Sequence, residues 1–321
     1  MLSAECGNII IIIDYIKGVS RMSQWDKDYI ALCKRILSEG REVENRTGIN
    51  TVKVPSHHFK LDLSKEFPVL TTKQLFFRQA ITEMLWIYQA QSNDVRWLRD
   101  RNVNIWNEWE IDEEGFWRAN QKVPDGNGGL VDKEIVREFG KEWAHTIGTA
   151  YGYIVKKFSM TQKLIETIKT NPNDRRMVMT LWQDDYVPTA VLPSCVWSSE
   201  WDVTDGKLNA WVHQRSCDVP LGLPFNVTQY ATLLCLIAHC TGLEPGTLDW
   251  SIKDAHIYVN QIEGIKEQIE RFDTKGDLPA PTLWINPDIT DFFAIDNSKE
   301  LNDIKIVGYE HMGKISFPIA Q

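Results

Sequence analysis

The sequence has few of the features that mark secreted, metal-binding or membrane proteins. Its six cysteines include no C-x-x-C pair, so neither zinc-site spacing nor a disulfide framework is indicated. The isoleucine run at residues 9–13 is too short to span a bilayer, and no lysine or arginine precedes it. We therefore expect a cytoplasmic protein with no metal ion and no membrane partner.

An excess of basic residues is also lacking. The chain of 321 residues has 35 Lys and Arg against 44 Asp and Glu, which gives a formal net charge of −9. A general nucleic-acid binder needs a basic face, so we expect no nucleic-acid partner. If such an acidic chain binds a phosphate, it must do so through a local group of arginines.

No Pro/Gly/Ser-rich linker and no internal repeat divides the chain. We expect one domain over residues 22–321, since Met22 could open it. Residues 1–21 would then be either an N-terminal extension or the result of a wrongly assigned start codon. Residues 116–146 are rich in Gly and charge and are predicted to be an insertion, with a short helix near residues 134–139.

Hydrophobic periodicity predicts a mixture of helices and strands, with the strands clustered in the second half. That distribution favours the α+β class. Predicted helices cover residues 26–39, 73–91, 161–169, 230–241 and 257–271, and predicted strands cover residues 177–182, 196–203 and 208–214. Glu83 is unusual, because it is a carboxylate inside an apolar helical stretch.

The most informative segment is Arg215-Ser216-Cys217-Asp218, followed eight residues later by Asn226. A guanidinium and a hydroxyl can both donate to phosphate oxygens. A carboxamide can donate and accept at once, which suits the edge of a nucleobase. The segment indicates a nucleotide site.

Further arginines and one cysteine fit such a site. Arg46, Arg175 and Arg176 would each be ordinary surface residues by themselves, but with Arg215 they could surround one phosphate dianion. Cys195 by itself would more often be a buried structural thiol. Nearby arginines would lower its pKa and favour a nucleophilic thiolate.

Three other groups have both a plain and a functional interpretation. His256 and Tyr258 could be core residues or ligands of sugar hydroxyls. Trp106 and Trp109 could be core residues or could stack on a flat heterocycle. The apolar C-terminal residues 315–321 could form a permanently packed strand or a lid that closes over a ligand.

Taken together, these blocks resemble the folate-dependent thymidylate synthase family across residues 22–321. The matching segments are Asn45–Gly48, Phe67–Lys73, Glu83–Trp86, Ile105–Trp109, Tyr151-Gly152, Asp174–Arg176, Cys195, Gln214–Asp218, Gly222–Asn226 and His256–Tyr258. Their number and order make the resemblance specific.

The resemblance implies a three-layer α+β fold, with a mixed sheet, packed helices and a homodimer formed through the sheet. It also implies reductive methylation of dUMP to dTMP, with 5,10-methylenetetrahydrofolate as co-substrate and dihydrofolate as product. No metal is implied. Arg175 and Arg176 would be donated across the dimer interface.

The resemblance also assigns roles to individual residues. The catalytic residues would be Cys195, Glu83, Tyr151, Asp218 and Asn226. The residues that bind dUMP would be Arg46, Arg175, Arg176, Arg215, Ser216, Cys217, Asp218, Asn226, His256 and Tyr258. The residues on the folate side would be Ile105, Trp106, Trp109, Asp218, Gly222, Phe225 and Ala320.

The chain departs from the family's usual pattern around the cysteine. Val196 stands where the family usually has His, and Glu200 stands where it usually has Gln. Some members of the family carry Val at the place of Val196, so that change need not impair activity. Glu200 is less expected, and it leaves the related dUMP hydroxymethylases, which make 5-hydroxymethyl-dUMP, as the alternative function. A dCMP-specific relative is less expected because Asn226 is retained, and an inactive nucleotide-binding protein is less expected because the catalytic set is intact.

Overall fold

The computed structural model of the chain describes residues 23–124, 130–275 and 278–319. The expected extension over residues 1–21, the tip of the expected insertion and Ala320 lie outside the described residues. The helices are α1 (Gln24–Glu39), α2 (Phe77–Tyr88), α3 (Val95–Arg99), α4 (Gly152–Phe158), α5 (Met160–Thr170), α6 (Gly222–Thr241) and α7 (Ile262–Lys275). None of these helices is long and apolar enough to cross a membrane.

A mixed sheet forms the centre of the fold. The strands are β1 (Arg41–Val43), β2 (Thr51–Asp62), β3 (Phe116–Pro124), β4 (Leu130–Glu138), β5 (Val178–Thr180), β6 (Val196–Thr204), β7 (Lys207–Gln214), β8 (Cys217–Asp218), β9 (Glu244–Tyr258), β10 (Thr282–Ile285) and β11 (Ile304–Val307). The sheet order is β1-β2-β9-β7-β6-β5, and β8 also pairs with β9. Strand β9 is parallel to β7 and β8 and antiparallel to β2, so the predicted α+β class and mixed sheet are confirmed.

Helix α6 lies behind the sheet and is buried on nearly all sides. A helix that is apolar around its whole circumference has to be covered everywhere, as its sequence predicted. Helix α1 shows the other pattern, with one apolar stripe. It begins after Ser23, whose hydroxyl accepts from the Asp26 amide, and it ends at Gly40.

Three helix boundaries differ from the prediction, for physical reasons. Residues 73–76 are not helical, because the C-terminal part of the chain supplies other partners: the Leu75 amide donates to the Tyr309 hydroxyl at 2.7 Å. Helix α6 begins at Gly222, eight residues early, because Pro224 is tolerated in a first turn. Residues 257 and 258 extend β9, where Tyr258 pairs with Thr51, and α7 starts only at residue 262.

The expected insertion forms a β-hairpin in its first part, so the predicted helix near residues 134–139 is wrong. Strands β3 and β4 pair antiparallel from Phe116 opposite Glu138. Alternate side chains of β3, Trp117 and Ala119, are buried with Ile111 in a small second hydrophobic cluster. The strand period of two therefore decides the structure here.

One face of the sheet is left open by the described part of this chain. Helices α1 and α6 pack on the other face. On the open face Trp197 and Trp211 are 38% and 47% exposed, and the His213 ring lies between them, with ring centroids 5.8 and 5.2 Å away. Glu200 is exposed on the same face, with Oε1 3.0 Å from Nε2 of His213. This departure from the family pattern therefore lies on the open face.

Candidate active site

Cys195 and Arg215 lie side by side at the ends of two paired strands. Cys195 directly precedes β6, Arg215 directly follows β7, and the Arg215 amide donates to the Cys195 carbonyl at 2.9 Å. The Arg215 guanidinium donates to the carbonyls of Pro193 at 2.7 Å and Ser194 at 3.0 Å. Its Nη2 lies 3.8 Å from the Cys195 Sγ. The backbone thus holds a cation against the thiol, as the sequence indicated.

Two opposing effects act on the pKa of the Cys195 thiol. Burial raises the pKa of the Cys195 thiol above its ordinary value, and the nearby guanidinium groups of Arg215 and Arg46 offset only part of that rise. The arginines therefore act in the predicted direction. Loss of hydration is the larger effect, so the pKa of the thiol is raised on balance.

Tyr151 contacts the same cysteine, and an uncommon backbone conformation at Tyr151 sets the direction of its side chain. Its hydroxyl oxygen accepts from the Cys195 amide at 3.1 Å. Tyr151 has a φ of +46°, an uncommon value for a residue with a side chain, at the start of α4. The next residue is Gly152, where an added Cβ would lie 2.0 Å from the Ser92 carbonyl oxygen. Burial raises the Tyr151 pKa well above its usual range, so the phenol stays neutral.

Glu83 is a buried carboxylate on α2, as the sequence indicated. Trp106 Nε1 donates to its Oε1 at 2.6 Å, and Gln229 Nε2 donates to its Oε2. Burial raises the pKa of Glu83 to about 7, although both hydrogen bonds act to lower it. A carboxyl group with this pKa can take up and release a proton near neutral pH.

A chain of hydrogen bonds runs from Trp250 to Glu83 in one direction. Trp250 Nε1 donates to Gln214 Oε1 at 3.0 Å, and Gln214 Nε2 donates to Asn226 Oδ1 at 3.1 Å. Asn226 Nδ2 then donates to Gln229 Oε1 at 3.2 Å, and Gln229 donates to Glu83. An indole N–H can only donate, so it fixes the orientation of every amide that follows.

The roles of Gln214, Gln229 and Trp250 were missed by sequence reasoning. Two of them had a readable signal. Gln214 immediately precedes Arg215 at an inward-facing position of β7, and Gln229 lies three residues after Asn226 on the same face of α6. Trp250 is 36 residues from Gln214, and only the parallel pairing of β9 with β7 brings them together.

His256 and Tyr258 lie at the end of β9 with ring centroids 5.3 Å apart. The Asp254 carboxylate lies 3.1 Å from His256 Nδ1 and accepts from the Lys53 ammonium at 2.7 Å. The bond to His256, together with Lys53, lowers the pKa of Asp254 to about 2. An ionised carboxylate only accepts, so Nδ1 of His256 carries the proton that it donates to Asp254.

Asp218 lies in β8, between the thiol and the start of α6. Its Oδ1 accepts from the Leu221 amide at 3.2 Å, and its Oδ2 accepts from Gln261 Nε2 at 3.2 Å. Burial raises the pKa of Asp218 above its usual range, and the bond from Gln261 opposes that rise. Gly222 opens α6 close by, and an added Cβ there would lie 3.6 Å from Asn226 Oδ1.

Aromatic rings form the wall beside Glu83. Trp106 is buried, with its ring centroid 5.5 Å from that of Trp109 and 5.3 Å from that of Tyr151. Ile105 is half-buried against the main core, as is Phe225 in the first turn of α6. Through these side chains Tyr151, which contacts Cys195, is connected to the predicted folate side.

The structure brings together only some of the residues that were expected to bind the phosphate of dUMP. Arg46 is close enough to both Cys195 and Tyr258 to affect their pKa values, and Arg215 contacts the thiol. Ser216 is half-buried between β7 and β8, and the Cys217 side chain is fully buried. Arg175 and Arg176 are exposed on the loop before β5, and Arg176 forms an ion pair with Asp174 at 2.8 Å. Within the described part of the chain, neither arginine forms a hydrogen bond with the Cys195 thiol.

Comparison with known proteins agrees with this geometry. The thymidylate synthase family model matches residues 27–321. A thymidylate synthase of Clostridium beijerinckii is 43% identical over 300 residues, which cover 93% of this chain and 100% of that protein. The solved structure of the thermostable thymidylate synthase A from Bacillus subtilis superimposes with a TM-score of 0.76 at 33% identity, over 93% of this chain and 100% of the other. This chain belongs to the thymidylate synthase family.

Proposed function

We propose that this protein catalyses the reductive methylation of dUMP to dTMP, with 5,10-methylenetetrahydrofolate as co-substrate and dihydrofolate as the second product. Family membership supports the reaction. The observation that carries the proposal is the setting of Cys195, whose Sγ lies 3.8 Å from the Arg215 guanidinium and whose backbone amide donates to the Tyr151 hydroxyl. The hydroxymethylase alternative is not favoured, because the matching proteins are named as thymidylate synthases and Glu200 lies on the open sheet face.

Each part of dUMP has a group of matching chemistry in the site. Arg46, Arg215 and Ser216 supply charge-assisted and hydroxyl donors for the phosphate. The Asn226 amide, fixed by Gln214, presents a donor and an acceptor to N3 and O4 of uracil. His256 and Tyr258 offer polar groups to the ribose 3′-hydroxyl.

Cys195 supplies covalent activation of the base. Its thiolate adds to C6 of uracil, and the electron pair of the C5–C6 double bond moves toward O4, so that C5 becomes a carbon nucleophile. Arg215 and Arg46 stabilise the thiolate against the cost of burying it. When the product forms, the bond between sulfur and C6 breaks and the thiolate is restored.

Glu83 and Tyr151 handle the protons of this reaction. A carboxyl group with a pKa of about 7 can exchange protons with water at neutral pH, and Trp106 and Gln229 fix its two oxygens. The Tyr151 phenol, whose oxygen accepts from the Cys195 amide, would lie near the C5 proton that is lost.

The donor set on the other side fits a pterin. The rings of Trp106 and Trp109 suit a flat heterocycle, and the Asp218 carboxylate suits its N–H groups. Ile105, Gly222 and Phe225 complete this side, with Ala320 assigned to it by the family resemblance. When bound, the folate supplies both the one-carbon unit and the hydride that reduces it.

We further propose that the protein works as a homodimer joined through the open sheet face. That face exposes Trp197 and Trp211, which single soluble chains rarely leave adjacent and uncovered. Arg175 and Arg176 are exposed and would reach the phosphate of the partner's dUMP. The second copy would thus supply the arginines that the single chain does not bring to Cys195.

Product analysis tests the function directly. The enzyme is incubated with dUMP and 5,10-methylenetetrahydrofolate, and nucleotides are separated by chromatography with dTMP and 5-hydroxymethyl-dUMP as standards. Formation of dTMP with an equal amount of dihydrofolate is the expected result. Formation of 5-hydroxymethyl-dUMP would instead identify a hydroxymethylase, and dUMP binding without turnover would identify a binding protein.

A further inference from the structure

Gln261 contacts three separate parts of the site with one side chain. It follows β9 and directly precedes α7, and it is 1% exposed. Its Oε1 accepts from the Tyr258 amide at 3.1 Å. Its Nε2 donates to Asp218 Oδ2 at 3.2 Å and to the Pro318 carbonyl at 3.0 Å. The three partners belong to the expected ribose side, the expected folate side and the C-terminal tail.

The orientation of this amide has one solution. The Tyr258 amide can only donate, so the Gln261 oxygen has to face it. Both hydrogens of Nε2 are then left for Asp218 and Pro318, which offer only acceptors at these positions. A buried amide with all three bonds made resists reorientation, because any flip leaves buried polar groups unsatisfied.

The tail is seated on the same helix by a second contact. Phe317 packs on Gly264 in α7 so closely that an added Cβ would lie 2.6 Å from the Phe317 Cε1. The Lys73 ammonium lies 4.8 Å from the centre of the Phe317 ring. Residues 317 and 318 are thus held by an apolar contact, a cation and the Gln261 amide.

We propose that Gln261 is a positioning residue that couples docking of the C-terminal tail to the orientation of Asp218. The tail can make its bond to Gln261 only when the amide already faces Asp218, so one side chain aligns the carboxylate and closes the tail over it. This proposal rests on the proposed function, because it assigns Asp218 to the folate side.

The test compares Gln261→Met with Gln268→Met. The Gln261 change keeps the shape of the side chain and removes its donors. Gln268 is the matched control, because it is a fully buried glutamine of α7 whose Nε2 donates to Thr72 Oγ1 at 2.8 Å. Among the described residues it makes no hydrogen bond to Asp218 or to residues 315–319. Gly264→Ala is a third variant, since alanine favours a helix more than glycine but would push Phe317 away.

Two measurements are made on each protein. The first is the steady-state rate of dTMP formation against folate concentration and pH, with the Kd for dUMP. Gln261→Met should raise the folate KM roughly tenfold, since a bond to a charged group is lost. It should also move the acid limb of kcat/KM to higher pH, because Asp218 loses a donor that stabilises its charged form. The Kd for dUMP should change by less than about threefold.

The second measurement needs no activity. Carboxypeptidase Y removes residues from the C-terminus, and intact mass gives the rate at which Phe317 is lost. Gln261→Met and Gly264→Ala should be trimmed several times faster than the wild type, and Gln268→Met should not. If the wild type makes no dTMP, the proposed function fails and the trimming rates decide whether Gln261 seats the tail.

The coupling would be overturned if carboxypeptidase Y trimmed Gln261→Met at the same rate as the wild type. It would also be overturned if that variant changed neither the acid limb of kcat/KM nor the folate KM. Equal effects in Gln261→Met and Gln268→Met would also overturn it, since they would reduce Gln261 to a structural amide.

Discussion

Trp106 Nε1 donates to Glu83 Oε1 at 2.6 Å, and this bond joins the aromatic wall of the site to its buried carboxylate. The second oxygen of Glu83 accepts from Gln229. Because two fixed donors face it, the carboxylate form is the better hydrogen-bonding partner. Burial nevertheless raises its pKa to about 7, so loss of hydration outweighs both bonds.

Glu83→Gln should therefore change how stability depends on pH. The Glu83 pKa in the folded state is about 7, above the ordinary value of 4.5, so the folded state binds the proton more tightly. Its contribution to stability is present below pH 4.5 and is lost as pH rises to 7. Each tenfold difference in proton affinity between the folded and unfolded states contributes about 1.4 kcal/mol. The variant lacks this loss, so the free energies of unfolding of both proteins, measured by urea titration from pH 4.5 to 8, should converge or cross as pH rises.

If the free energies of unfolding of the two proteins instead change in parallel over that pH range, the pKa of Glu83 is not raised in the folded state. Activity gives a second reading of the same variant. The amide nitrogen of the new Gln would face a donor, either Trp106 or Gln229, so dTMP formation should fall by more than about a hundredfold while dUMP still binds.

Cys195→Ser should abolish turnover and leave dUMP binding largely intact. A serine hydroxyl is a much weaker nucleophile than a thiolate, although it is nearly the same size. Rates of dTMP formation and the Kd for dUMP by calorimetry check both parts. Cys235→Ser is a suitable control, because Cys235 is buried in α6 and has no part in the proposed chemistry. A near-normal rate in Cys195→Ser would remove the residue from the mechanism.

Asn226→Asp should shift substrate preference from dUMP toward dCMP. One oxygen of the new side chain can still accept from Gln214. The other oxygen would face Gln229 Oε1, to which Asn226 Nδ2 donates in the wild type, so two acceptors would meet there. The edge presented to the base therefore loses its donor and acceptor pattern. Values of kcat/KM for both nucleotides measure the shift, and an unchanged ratio would show that Asn226 does not read the base.

Arg175 and Arg176 should act across the proposed dimer. A Cys195→Ser subunit and an Arg175→Ala/Arg176→Ala subunit should each be inactive as homodimers. In the mixed dimer one site combines an intact thiol with intact arginines, so up to one site per dimer should regain activity. Mixing after subunit exchange, with heterodimer verified by native mass spectrometry, measures the recovery. Heterodimers without activity would place both arginines outside the shared site.

The sequence predicted the elements whose pattern is local. The apolar stripe of α1 and the alternation in β7 each follow from neighbouring residues, and both elements lie where expected. The prediction was wrong where distant partners decide. The segment near residues 134–139, expected to be a helix, is a strand because it pairs with β3. Residues 73–76, also expected to be helical, are not, because the Leu75 amide donates to the Tyr309 hydroxyl instead.

The site shows the same division. The clustered segment around Arg215 identified the nucleotide chemistry, since its residue types are informative wherever they lie. The supporting amides were harder to find, because Trp250 and Gln261 are recognised only through the pairing of β9 and the path of the tail. The lowering effect of the arginines on the thiol pKa was predictable, but the larger rise caused by burial was not, since arginines can be counted in a sequence and burial cannot.

The one-way chain of carboxamides behind Glu83 has a consequence for proton traffic. Gln214, Asn226 and Gln229 hold their hydrogens without titrating, so they orient charge but do not relay protons. These three amides therefore block proton transfer to and from the Glu83 carboxylate on that side. The protons that Glu83 gains or loses must therefore travel by a route other than this row of amides.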